Sequence, residues 1–208
     1  MKLYFMRHGQ TEYNTKHLLQ GRMNTDLTAD GRRQAAEARQ HFADAGIAFD
    51  RVYSSPLNRA FDTAVLSTGF PEDQIRTDER LLEIGFGPLE AQRVEDLGPT
   101  FQLFFTDPEH YVTPEGAETY DELLTRTKDF LAELQREQPD GNTLVVSHGG
   151  TIHAIYYVLC GGPLKEFWTM TMGNCGYFVV TEEDGNLTVS ETHFNEHYRT
   201  LPDWKENE

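Results

Sequence analysis

Three short apolar runs in this chain of 208 residues each end in side chains able to hold or attack an anion. Lys2-Leu3-Tyr4-Phe5-Met6 runs into Arg7-His8-Gly9, with Gln10, Thr11 and Asn14 close behind. The run at 50–55 leads to Pro56 and Arg59. Thr143-Leu144-Val145-Val146-Ser147 is followed by His148-Gly149-Gly150. Arginine offers an oxyanion a planar pair of donors, and an imidazole can donate a further hydrogen bond or act as the nucleophile. Phosphate is the anion such a set fits best. Helices opening near Pro56 and Gly149 would add free N–H groups and partial positive charge. Taken singly, Arg59 reads as a solvated helix residue and His148 as a hydrogen-bonded histidine at a strand end. Their recurrence at equivalent places is what points to one site.

That site needs strands lying side by side, and the pattern supplies them. Strands are predicted at 2–6, 50–55 and 142–148, with a further short strand and a glycine-bearing loop within 75–87. Residues 28–46 space Ala35, Ala38 and Phe42 as a helix does, between a cap at Asp30 and Gly46. Pro56 suits the first turn of a helix through 58–68. A long helix over 119–137 carries Leu123, Leu124, Thr127, Phe130, Leu131 and Leu134 on one face. Residues 149–162 form a helix closed by glycines, and 176–194 two strands joined by an Asp-Gly turn. The stretch 88–117 has no clean period and reads as an irregular cap. Strands alternating with helices predict one α/β domain over 1–208, a three-layer α/β/α sandwich around a mostly parallel sheet. Ligands of such sheets sit beyond the carboxyl ends of the strands, where all three runs terminate.

Composition narrows the partners. Lys plus Arg is 18 and Asp plus Glu 34, a formal net charge of −16. Such a surface repels nucleic acid and anionic membrane, so neither is an expected partner. No apolar run spans a bilayer, and residues 1–6 read as a strand rather than a leader. Cys160 and Cys175 are too few for a disulfide framework, which makes the cytosol the default location.

The ordered runs RHGQTEYN, SSPLNRAFDTA, LLEIGFGPLEA and VSHGGTIHA resemble the histidine phosphatase superfamily, in its phosphoglycerate-mutase-like branch. The resemblance extends from residue 3 to about 180. It implies that His8 is the nucleophile that accepts the phosphoryl group, and that Arg7, Arg59 and His148 hold the equatorial oxygens. Asn14, the Gln20-Gly21 turn and Gly149 would add neutral donors, and Glu83 would protonate the leaving alkoxide. A carboxyl beside a dianionic phosphate is expected to bind its proton more tightly, which suits an acid. No cofactor or metal is implied. Ala91 stands where the resemblance leads one to expect the glycine that many members of this branch carry after Glu90.

The implied partner is a small-molecule phosphomonoester, and a homodimer is left open. Hydrolysis leads. The alternative is a phosphoglycerate mutase, and a third reading is a non-catalytic phospholigand-binding module, which would have no use for Glu83. Residues 84–125 hold one basic residue, Arg93, against nine acids, and they hold Phe86, Phe101, Phe104, Phe105, Tyr111 and Tyr120. This cap favours an apolar or aromatic leaving group, with Arg22 as one cation in reserve. His193 and His197 have a metal-ligand spacing but no further ligand cluster. Ser54, Ser55 and Ser147 lack a nucleophile-elbow motif. Cys175 reads as a packed strand residue, and Trp168, Met170 and Met172 as core.

Overall fold

The computed structural model describes residues 1–137, 141–183 and 185–195. Strand β1 (Lys2–Arg7) lies inside a six-stranded sheet, so its side chains are apolar on both faces. Leu3 and Phe5 point to one core cluster and Tyr4 and Met6 to another. With β2 (Arg51–Ser54), β3 (Ile75–Thr77), β4 (Asn142–Ser147), β5 (Tyr177–Glu183) and β6 (Asn186–His193), the order is β3-β2-β4-β1-β5-β6. The first four strands are mutually parallel; β5 runs antiparallel to β1, and β6 to β5. Arg7 pairs with Ser147 and Ser54 with Val146, so β1, β4 and β2 end at one level, as the sequence requires.

Helices cover both faces. α2 (Ala29–Asp44) and α3 (Asn58–Thr68) enclose the Tyr4 face; α5 (Tyr120–Glu137) and α6 (Gly149–Cys160) enclose the Leu3 face. This is the expected three-layer sandwich. α5 buries Leu123, Thr127, Phe130, Leu131 and Leu134, a stripe at three- and four-residue intervals. Each fully buried large apolar side chain contributes about 1.5–3 kcal/mol. Thr127 Oγ1 satisfies itself on Leu123 O at 2.7 Å.

Local details depart from expectation. The cap of α2 is Thr28, whose Oγ1 accepts from Gly31 N at 3.0 Å; Asp30 sits in the first turn, where its charge faces the positive helix end. Pro56 precedes α3 by two residues and is not in its first turn, because Leu57 occupies the cap position. Cys175 is buried, but it lies in the turn before β5 at φ +55° rather than in the strand.

The segment over 88–117 is more regular than predicted. It carries α4 (Gly98–Thr106) between short helical turns and loops. Phe101 and Phe104 of α4 stack at 5.5 Å inside a third cluster with Ile84, Phe86, Tyr120, Leu123 and Phe167. Main-chain bonds stitch this cap to the loop after the short helix α1 (Glu12–Thr15): Leu19 N to Gln92 O at 3.0 Å, Ala91 N to Leu19 O at 2.8 Å and Val94 N to His17 O at 3.0 Å. Ala91 takes φ +65° at this seam, a left-handed conformation that glycine adopts at less cost.

Candidate active site

Each strand end delivers its residues through backbone bonds. His8 N donates to Ser147 O at 2.9 Å, and Asn174 Nδ2 donates to His8 O at 2.9 Å. The His8 ring places Nδ1 2.6 Å from Gly9 O. A carbonyl only accepts, so Nδ1 carries the proton and Nε2 the lone pair. Burial, with Arg59 and Arg7 nearby, holds the His8 pKa well below the usual imidazole value. A neutral ring with a free Nε2 is a nucleophile in its reactive form.

His148 lies one strand away, its ring centroid 5.2 Å from that of His8. Arg59 Nε donates to its Nδ1 at 3.1 Å, which places the His148 proton on Nε2, 2.7 Å from Ser55 Oγ. Burial and then Arg59 lower the His148 pKa as well. Arg59 is fully buried, and burial brings its own pKa down to about 10. Its guanidinium also donates to Met23 O at 2.7 Å and Gly21 O at 2.8 Å. It therefore ties α3 to the 21–25 loop and orients His148. Ser55, considered in the sequence only as a nucleophile, is the hydroxyl partner of His148.

Glu83 is held by a different device. Arg126 Nη1 donates to Arg80 O at 2.6 Å, Ser147 Oγ to Leu81 O at 2.7 Å and Thr151 Oγ1 to Leu82 O at 2.5 Å. Three successive carbonyls are thereby fixed, and the carboxylate that follows lies over the start of α6. It accepts from Ile84 N at 3.0 Å and from Gly150 N and Thr151 N at 3.2 Å each. Arg7 Nη1 donates to Met172 O at 2.7 Å.

These groups border a cavity of about 410 Å³. Of the anticipated residues, Arg7, His8, Asn14, Gln20, Gly21, Glu83 and Gly149 line it. Arg59 and His148 stand behind that lining, at zero exposure. Asn14 Oδ1 accepts from Thr11 N at 3.0 Å, and Gln20 Oε1 from the hydroxyls of Thr11 and Thr25 at 2.8 and 2.7 Å. Both amide oxygens are thus committed to the protein. Gly21 has φ +50°, and a Cβ there would stand 2.0 Å from Glu90 Oε1, the acceptor of Arg22 N and Phe86 N.

Of the cap aromatics, Phe86, Phe104 and Phe105 reach the cavity, whereas Phe101 and Tyr120 are spent inside the cap. Arg22 does not reach it and pairs with Glu118 at 3.3 Å. Sequence reasoning missed the wall at 165–172. Trp168, Met170 and Met172 line the cavity, although the two methionines are buried as expected. Lys165, His17 and His153 line it too. His153 has Nδ1 2.7 Å from Gly149 O and Nε2 2.8 Å from Met170 O. The only signal for this wall was the aromatic and methionine spacing. The His193 ring stacks on Tyr177 at 4.6 Å, and His197 lies outside the described residues. Among the described residues there is no cluster of three metal-ligating side chains and no helix long and apolar enough to cross a membrane.

Comparison with known proteins identifies the family and the fold. The profile of the histidine phosphatase superfamily (branch 1) matches residues 3–195. The adenosylcobalamin/alpha-ribazole phosphatase of Escherichia coli is 32% identical over 81% of this chain and 83% of its own. The metal-independent phosphoserine phosphatase of Arabidopsis thaliana is 30% identical over 74% of this chain and 67% of its own. The crystal structure of phosphoserine phosphatase from Entamoeba histolytica with 3-phosphoglyceric acid superposes with a TM-score of 0.83 at 26% identity, covering 95% of this chain and 98% of that one.

Proposed function

Because the chain belongs to the histidine phosphatase superfamily, branch 1, we propose that it hydrolyses small-molecule phosphomonoesters through a phosphohistidine on His8, without a metal. The observation that carries this reading is the His8 tautomer, with Nδ1–H tied to Gly9 O and Nε2 left with its lone pair at the cavity. In the first step Nε2 attacks phosphorus, the ester P–O bond breaks, and Glu83 gives its proton to the departing alkoxide. In the second, water attacks the phosphohistidine while Glu83 takes back a proton. The P–N bond breaks and inorganic phosphate leaves.

Arg7 would grip the transferring oxygens, joined by the first-turn N–H groups of α6. Arg59 would act from behind that shell, holding the 21–25 loop and adding charge close to His8, with the neutral His148 ring fixed between Arg59 and Ser55. Asn14, Gln20 and Gly21 would border the same oxygens. Chemistry of this kind asks only for positioning and charge in a loose in-line transfer. A cytosolic location accompanies the proposal, supported by a composition with two cysteines.

Phosphoglycerate mutase activity is the second reading. Its substrates carry a carboxylate beside two phosphate positions and would need several cations in the cap. The single basic residue of 84–125, Arg93, lies 3.2 Å from Glu95 and is neutralised there. Hydrolysis is therefore favoured.

The test is phosphate release from p-nitrophenyl phosphate and from a panel of alkyl phosphates, with alkaline detergent-quench trapping of a base-stable, acid-labile phosphoenzyme. His8→Ala should abolish both signals. Retained turnover in that variant, or trapping on a residue other than His8, would refute the covalent route.

A further inference from the structure

Lys165 is a charged residue of the cavity that the phosphoryl chemistry does not use. In a chain with 34 acids, Glu83 is the single carboxylate lining this space, and Arg7 and Lys165 are its basic side chains. Lys165 lies in the short helical turn Leu164–Glu166, exposed at the rim. Among the described residues it makes no ion pair. The cations of the neighbouring cap differ: Arg22 and Arg126 both end on Glu118, and Arg93 ends on Glu95. In a protein of net charge −16, an unpaired cation at the rim makes the local potential of this cavity more positive than that of the surrounding surface, which favours an anionic group there.

The wall leading inward from Lys165 is apolar and aromatic. Trp168, three residues on, packs against Phe104 at 5.3 Å, Phe105 at 5.1 Å and His153 at 4.6 Å. His153 in turn bonds Gly149 O, at the phosphate end. The cavity thus offers cationic phosphate-binding groups, an aromatic wall and a lysine at the rim. We propose that Lys165 is a specificity-determining residue, selecting monoesters whose leaving group carries a carboxylate beyond an apolar or aromatic body. The flexible stem of lysine lets one point charge serve leaving groups of different length. For its reaction this assignment rests on the hydrolase reading; for binding it does not.

Non-hydrolysable ligands separate the two. Calorimetric titration would compare phenylphosphonate with its para-carboxylate and para-carboxyethyl derivatives. The wild-type protein should bind at least one carboxylated compound roughly threefold more tightly than the parent, the scale of a solvent-exposed charge pair. Lys165→Arg should keep the preference, Lys165→Met should bind all three alike, and Lys165→Glu should disfavour the carboxylates. The wild-type preference should also shrink as salt is raised. Equal affinities in the wild-type protein, or a preference that survives Lys165→Met, overturns the proposal. If this pattern appears in a protein that releases phosphate from no monoester, the hydrolase reading fails while the Lys165 assignment stands.

Discussion

Acid should destabilise this protein well above the pH at which its carboxylates titrate, and His153 allows the effect to be worked out. The ring is buried between two carbonyl oxygens, 2.7 Å from Gly149 O and 2.8 Å from Met170 O. A neutral imidazole can donate to only one of them, whereas an imidazolium could donate to both. Burial outweighs that pull and holds the His153 pKa at about 4, below the 6.5 of an unburied ring. The unfolded chain therefore takes up this proton first as the pH falls. Stability is intact above pH 7 and is lost between about 6.5 and about 4. At pH 5.0 these two values give a loss of about 2 kcal/mol, and a slope of about 1.2 kcal/mol per pH unit between pH 5 and 6. His8 and His148 are depressed in the same direction and add slope of the same sign. Urea unfolding at pH 5.0, 5.5, 6.0 and 7.5 measures the sum, and His153→Gln, which still donates to one carbonyl, should reduce the slope by about 1.2 kcal/mol per unit. An unchanged slope would mean that native His153 is already charged and bridges both carbonyls, contrary to this account.

Glu83→Gln should slow alkyl phosphates by about 10²–10⁴-fold while sparing nitrophenyl phosphate, whose leaving group departs unprotonated; equal losses on both would remove Glu83 from the acid role. Gly21→Ala should cost about 3 kcal/mol, from left-handed strain and from displacing Glu90 off two backbone N–H groups. Glu90→Ala in the same chain should make the Gly21→Ala cost smaller, and additive losses in thermal unfolding would disprove the contact. Turnover should persist in excess chelator; loss restored by a divalent ion would revive a metal role for His193 and His197.

The parts of this molecule written most plainly in the sequence are those where side-chain type decides the outcome. β1 and β4 are apolar on both faces because both faces are covered, and the residues that break the runs are the ones placed at the cavity or directly behind it. Helix α5 announced itself by its buried stripe. Where two candidates of one chemical type compete, type is not enough: Thr28 and Asp30 are both good caps, and only the point at which the backbone turns helical chooses Thr28. α4 was hidden by its Gly98-Pro99 opening, a turn signal that is also an acceptable first turn. The wall at 165–172 was hidden for another reason. Met170 and Met172 contribute carbonyl oxygens, to His153 and Arg7, and recruitment of a carbonyl leaves no mark on residue identity. Arg59 was legible as part of the site, but its grip on Gly21 O and Met23 O was not.

The cap is joined to the loop at 17–19 by main-chain bonds, and this has a bearing on how such a scaffold can change its diet. Bonds between backbone atoms survive most substitutions, so the seam constrains few residue identities beyond the left-handed positions at His17 and Ala91. The rim side chains at positions 105, 165 and 169 can drift without loosening the frame that holds His8 and Glu83. A gene library randomised at those three positions should therefore return mostly folded proteins with altered substrate ranges. One randomised at Arg59, Ser55 and Thr151 should return mostly unfolded or silent ones. Evolvability in this molecule is confined to one edge of the cavity, and the separation is drawn by which contacts belong to the backbone.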